Sequence, residues 1–245
     1  MIHLLVDYHC HIPRDDMTKK YDIDFLLRDT EKNHFDKRLI SAIKGSSIQL
    51  QNDCAISLAR QYPDIFIACG VINPKEDDCI NEVERLCKIK EIRAIEFDPL
   101  EHGYIPESCR SLETIFSLME KNGLIANVFT GWGFRTAPFQ WEYWVEKYPN
   151  LKFVYLHMGG NDFGYSCIDV AKKHKNILLE TSDMYELPVW HIALRELEED
   201  RFIFGTQFPE KFSEVSLEII DSIPFTTEGR EKLFSTNAMN LLNIH

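Results

Sequence analysis

Two histidines stand one residue apart in Asp7-Tyr8-His9-Cys10-His11, directly behind an apolar opening run. On an extended backbone, side chains at i and i+2 project to the same side, so the two imidazoles address one point. Imidazole nitrogens are good ligands for a borderline divalent ion such as zinc, and a pair of them at a strand end can hold one ion between them. The plainer alternative is two solvated loop histidines. Cys10, between them, must point the opposite way and is expected in the core. His157, in Leu156-His157-Met158-Gly159-Gly160, also ends an apolar run, and an imidazole there has a pKa suited to proton transfer. Its alternative role is a structural hydrogen bond within the mouth. In the Gly-punctuated stretch Thr130-Gly131-Trp132-Gly133-Phe134-Arg135, Trp132 is placed to stack on a planar substrate and Arg135 to clamp a carboxylate or phosphate, unless both only cover the mouth. His3, His34, His102, His174, His191 and His245 lack partners at useful spacing and are expected to be solvated.

Such residues need a scaffold that gathers strand ends. Short runs rich in Ile, Leu, Val and Phe recur at Ile2–Asp7, Lys37–Ile43, Ile65–Ile72, Ile92–Phe97, Leu124–Phe129, Lys152–His157, Asn176–Thr181 and Arg201–Gly205. They read as strands buried on both faces of a parallel sheet. Lys37–Ile43 is the least strand-like of them. Helical spacing marks the segments between: Gln49–Tyr62, Asp77–Lys88, Ser111–Lys121, Gln140–Lys147, Tyr165–Lys173, Glu186–Glu198 and Phe212–Ser222. Eight strands alternating with helices over 245 residues predict a single α/β domain, a (β/α)8 TIM barrel spanning 1–245. An open doubly wound sheet is the alternative, but neither a G-x-G-x-x-G nor a Walker loop supports it.

Composition removes several function classes. The formal charge of −12, from 39 acidic against 27 basic residues, disfavours nucleic acid and anionic membranes as partners. Seven scattered cysteines without a C-x-x-C pair argue for reduced thiols and a cytoplasmic protein. The amino terminus lacks the basic region of a signal peptide, and no apolar stretch is long enough to span a membrane. A small-molecule substrate is the expected partner, with self-association open.

Taken together, the ordered motifs resemble the amidohydrolase superfamily, specifically its "amidohydrolase 2" branch of hydrolases and decarboxylases. Asp7–His11 looks like its opening motif, Val71-Ile72-Asn73-Pro74 its strand-three ending, and Ile95-Glu96-Phe97-Asp98-Pro99 its strand-four run. Leu156–Gly160 is similar to its His-Met-Gly-Gly element, Phe204-Gly205-Thr206-Gln207-Phe208-Pro209 to its Phe-Gly-Ser-Asp-Tyr-Pro element, and 233–242 to its closing helix. The resemblance implies one divalent metal on the first-strand histidines, a strand-five histidine and a strand-eight aspartate, with His157 as ligand or acid/base. Here Phe129 and Gln207 occupy the last two positions. A phenyl ring has no lone pair, and a carboxamide is a weak ligand that takes no proton near neutral pH. Relatives with a carboxylate on strand four make Glu96 the candidate substitute ligand, with Asp98 on the same face as a substrate contact. Glu180 and Asp183 are second choices, read more simply as rim carboxylates or partners of Arg93 or Arg135. The implied activity is a divergent metal-dependent hydrolase or decarboxylase, with Gln207 and His157 as its catalytic pair. The alternatives are an inactive scaffold that keeps the barrel, and a metal-free lyase or isomerase that uses His157.

Overall fold

A computed structural model describes residues 4–45 and 47–244. Its sheet runs in chain order: β1 (Val6–His11), β2 (Lys37–Ser41), β3 (Phe66–Val71), β4 (Ile92–Phe97), β5 (Ile125–Phe129), β6 (Phe153–Leu156), β7 (Ile177–Glu180) and β8 (Phe202–Ile203). Every neighbouring pair is parallel. Tyr8 N–H donates to the Phe204 carbonyl at 2.9 Å and Thr206 N–H to the His9 carbonyl at 3.2 Å, which brings the last strand back against the first. The architecture is the expected (β/α)8 barrel.

Two cores follow from two-sided burial. Val6, Tyr8, Leu39, Ala94, Ile125 and Val154 fill the barrel interior. A larger cluster, with Trp141, Trp190, Phe116 and Phe153 among its members, lies between sheet and helices. Cys10 belongs to that outer cluster, as its position between two inward histidines demands.

The least strand-like segment, β2, is secured by its polar residue. Arg38 is wholly buried and pairs with Asp7 at 2.7 Å and Asp29 at 2.7 Å, and it also donates to Thr206 Oγ1 at 3.3 Å. A buried guanidinium is tolerable only when its donors are met. Asp7 is equally satisfied, accepting from Thr206 N–H at 3.0 Å and Thr206 Oγ1 at 2.7 Å. The network ties β1, β2 and the turn after β8 together beneath the mouth.

The first strand corrects the sequence reading. Expected at Ile2–Asp7, it runs instead from Val6 to His11, so the histidines lie on the strand itself. Residues 2 and 3 fall outside the described segment, as does His245. The helix Ile23–Lys32 was not anticipated; Asp22 caps it by accepting from Phe25 N–H at 2.9 Å. Its segment is mostly polar, and Leu26 is its one fully buried large apolar side chain.

Candidate metal centre

A β-bulge sets the site. Asp7 pairs with Arg38 and Cys10 with Ile40, three residues of advance on β1 against two on β2. Val6 and Tyr8 point into the barrel and Asp7 outward to Arg38. Without the extra residue, His9 and His11 would follow Asp7 outward. The bulge reverses the alternation and turns both imidazoles into the mouth.

There they meet a carboxylate. His9 Nε2 lies 3.1 Å from His11 Nε2, His11 Nε2 lies 3.3 Å from Glu96 Oε1, and His9 Nε2 lies 3.7 Å from the same oxygen. The three side chains are almost fully buried. A tetrahedral ion with ligands at about 2.1 Å requires donor atoms roughly 3.4 Å apart, and these edges bracket that value. The remaining ring nitrogens are also engaged. His9 Nδ1 is 3.1 Å from Glu180 Oε2, and His11 Nδ1 is 2.8 Å from Glu210 Oε2. Carboxylates behind Nδ1 orient each ring and leave Nε2 as the ligand atom, the usual arrangement around histidine-bound metals. Ser41 Oγ donates to Glu96 Oε2 at 2.7 Å and fixes the third donor. Donor chemistry and spacing thus fit one divalent ion on His9, His11 and Glu96.

Electrostatics match this grouping. Burial disfavours a charged imidazolium at His9, but Glu180 and Glu96 outweigh it and push its pKa up to about 10. At His11 burial is likewise overcome, by Glu210 and Glu96, and the pKa is pushed up to about 9. Burial raises Glu96, yet the two histidines hold it well below the usual carboxylate range.

His157 differs. Burial, aided by the charge of His9 and His11, drives it well below the ordinary imidazole value, so it is neutral. Its ring lies 4.9 Å from that of His9, edge-on to Phe129 at 4.5 Å and 5.5 Å from Trp132. Its Nδ1 is 2.9 Å from Ser182 Oγ, whereas the buried Nε2 has no hydrogen-bond partner among the described residues. The backbone is strained here: His157 (φ 65°), Met158 (49°), Asp183 (61°) and Gln207 (55°) adopt left-handed conformations, each costing roughly 1–3 kcal/mol. Such strain concentrates where a site imposes its own geometry.

Other sequence-based expectations divide. Gln207 is buried beside His9, donating its backbone N–H to the His9 carbonyl at 2.8 Å, and its side-chain oxygen has no partner among the described residues. Phe129 occupies the strand-five position as a buried ring. Trp132 packs on Phe129 and His157. Asp98 is spent locally: one oxygen caps the turn Pro99–His102 by accepting from Leu100 and Glu101 N–H, and burial pushes its pKa up to about 6. Arg135 is exposed, and its side chain has no partner among the described residues. Glu180 is neither a rim carboxylate nor an arginine partner; it is wholly buried against His9 and His157. Asp183 pairs with Lys211 at 2.8 Å rather than with an arginine. His174 is part-buried on Glu142 at 3.1 Å, and His102 is part-buried too, so neither is solvated. Sequence reasoning missed Ser41 and Ser182, whose only signal is their place at or just past the ends of β2 and β7, and Glu210, which lies in the loop beyond β8.

A family model described as amidohydrolase matches residues 6–244. The chain belongs to the amidohydrolase family. No curated protein matches it in sequence. Among solved structures, this amidohydrolase is similar to the 5-carboxyvanillate decarboxylase of Novosphingobium aromaticivorans with bound manganese. That match has a TM-score of 0.76 and 13% identity, over 99% of this chain and 97% of that one. A 2,6-dihydroxybenzoate decarboxylase from Rhizobium matches with a TM-score of 0.75 and 14% identity, over 99% of each chain. A 4-oxalomesaconate hydratase from Rhodopseudomonas palustris matches with a TM-score of 0.74 and 18% identity, over 98% of this chain and 96% of that one. At these identities the likeness is one of fold. Among the described residues no helix is long and apolar enough to cross a membrane.

Proposed function

We propose that this amidohydrolase, acting as one domain over 1–245, is a metal-dependent hydrolase of a small molecule. His9, His11 and Glu96 would hold one divalent ion, zinc by donor preference. The observation that carries the reading is the triangle of donor atoms at 3.1, 3.3 and 3.7 Å, with each histidine anchored from behind by a carboxylate. When bound, such an ion supplies Lewis acidity that polarises a carbonyl and acidifies a nearby water. The residues around it supply the rest. Gln207 replaces the aspartate that would accept a proton, and Glu180 is saturated by hydrogen bonds. The neutral His157 has a bare, buried Nε2 beside His9 and is the base this site retains. Phe129 and Trp132 flank it, keep bulk water away and offer a flat apolar wall.

That wall favours a second reading, nonoxidative decarboxylation of a planar acid, the type of reaction named for two of the structural relatives. One experiment tests the shared premise. Metal analysis of protein purified without chelator should find one ion per chain, lost in His9→Ala. Failure to bind any divalent metal after supplementation would leave only a scaffold or a metal-free lyase. Hydrolysis is then distinguished from decarboxylation by whether turnover releases carbon dioxide.

A further inference from the structure

A cleft of about 220 Å3 opens beside the donor cluster, lined by His11 and Glu210, by the apolar Ile12, Ile43 and Pro209, and by the cations Arg14 and Lys44. It continues into a wider depression of about 450 Å3 that shares Arg14, Asp16 and Lys44 and adds the cation Lys19 and the acids Glu76 and Glu101. Two cations facing a donor-cluster residue are notable in a chain of net charge −12. Of the acids in the smaller cleft, Glu210 is already paired with His11 at 2.8 Å, which leaves Asp16 to answer one cation. Within the smaller cleft, beside His11, the cations therefore outnumber the acids left to meet them, whereas Glu76 and Glu101 balance the charge of the wider depression.

The two cations are also placed. Arg14 forms an antiparallel bridge with Tyr21, whose hydroxyl donates to the Lys44 carbonyl at 2.8 Å. Tyr21 thus pins both cation-bearing loops together. The Arg14 Nε donates to the Lys19 carbonyl at 3.2 Å, which fixes the guanidinium, while its two terminal nitrogens have no partner among the described residues and can make a bidentate contact. The Lys44 ammonium has no partner among the described residues.

We propose that Arg14 and Lys44 form a carboxylate-binding subsite. The occupant is a small amphipathic acid: its carboxylate lies between the two cations, its apolar body lies on Ile12, Ile43 and Pro209, and its reacting end lies toward His11 and Glu96. This names the substrate class for the proposed metal centre and rests on that reading. It also moves the anion contact away from Arg135, which lines neither cleft.

The test uses full-length, zinc-loaded protein with benzoate as probe and benzamide as its uncharged counterpart, followed by calorimetry. Benzoate is expected to bind at least tenfold more tightly than benzamide. Arg14→Gln and Lys44→Gln are each expected to weaken benzoate about tenfold, the size of one charge-assisted hydrogen bond. Benzamide binding and zinc content should be unchanged, and Arg135→Gln should have no effect. Absence of benzoate binding, equal affinity for both probes, or full retention in both cation variants would overturn the subsite. Failure of the metal reading appears separately, as absence of zinc in the wild type; the two cation variants then decide the subsite on metal-free protein.

Discussion

Ser182 Oγ sits 2.9 Å from His157 Nδ1 and 2.8 Å from Glu180 Oε2, and this chain of contacts decides which imidazole nitrogen carries the proton. Glu180 already accepts from the His157 backbone N–H at 3.0 Å and from Ser182 N–H at 2.6 Å, as a carboxylate does. The one Ser182 hydroxyl proton goes to Glu180, so its lone pair faces His157 and Nδ1 must donate. Nε2 is then the bare nitrogen. Nitrogen-15 NMR of histidine-labelled, metal-free protein should show His157 with a protonated Nδ1 and an unprotonated Nε2, the resonance being assigned by its loss in His157→Gln. Ser182→Ala should mix the tautomers and Ser182→Thr should restore one. A protonated Nε2 in the wild type would rule out His157 as the base.

Metal binding should depend steeply on pH. Glu180, Glu210 and Glu96 hold protons on His9 and His11 up to about 10 and about 9, and an ion must displace them. Affinity should therefore fall at least tenfold per pH unit as pH drops from 8 to 6, with one to two protons released per ion in calorimetry. Glu180→Gln and Glu210→Gln should weaken binding by about 10–100-fold, as loss of a partner behind a ligand does. Without metal the sign for stability is opposite. The raised histidine pKa values stabilise the fold fully below about pH 6.5, and that contribution is lost as pH rises through 9 to 10.

Gly205 is required by close approach rather than by its own conformation. A Cβ there would lie 2.8 Å from the Cβ of His9 and closer still to the Glu180 carboxylate. Both neighbours are fixed by the site, so neither can yield cheaply. Gly205→Ala should displace Glu180 from His9 and lower metal affinity at least tenfold, in the same direction as Glu180→Gln. Wild-type affinity in Gly205→Ala would mean that Glu180 does not set the orientation of His9.

The ion-pair network under the mouth carries stability. Arg38→Met leaves Asp7 and Asp29 buried without their cation, a change of about 3–5 kcal/mol. For a chain of this size that corresponds to a fall in Tm of roughly 6–20 °C, measurable by calorimetry. A shift of only a degree or two would mean that water or side-chain rearrangement replaces the guanidinium.

Much of the barrel was legible because strands buried on both faces must be apolar, and each of the eight runs overlaps a strand, the first of them only at Val6 and Asp7. What escaped notice has physical causes. The i, i+2 rule placed His9 and His11 on one side of β1, but which side depends on the bulge after Asp7, a property of pairing rather than of local sequence. The helix Ile23–Lys32 buries too few large apolar residues to show a clear stripe. Glu96 stood out as a candidate only through the resemblance to relatives that carry a carboxylate on strand four. Glu210 and Ser182 act across the mouth on His11 and His157, at 199 and 25 residues' separation, and no spacing rule reaches that far.

The two unusual positions give the sharpest test of the site's geometry. Phe129 points at His157, and Gln207 is buried next to His9 with an unpaired side-chain oxygen, so both face inward. Phe129→His combined with Gln207→Asp adds an imidazole and a negative charge to the donor set. Metal affinity should rise at least tenfold, since the ion would gain two ligands on strands already in place. The same substitutions should lower the stability of metal-free protein, because a new buried carboxylate without a counterion is costly. Thermal melts with and without zinc should therefore cross: the double variant melts below wild type when apo and above it when loaded. If its affinity does not change, Phe129 and Gln207 do not occupy ligand positions, and the ion would be held by His9, His11 and Glu96 alone.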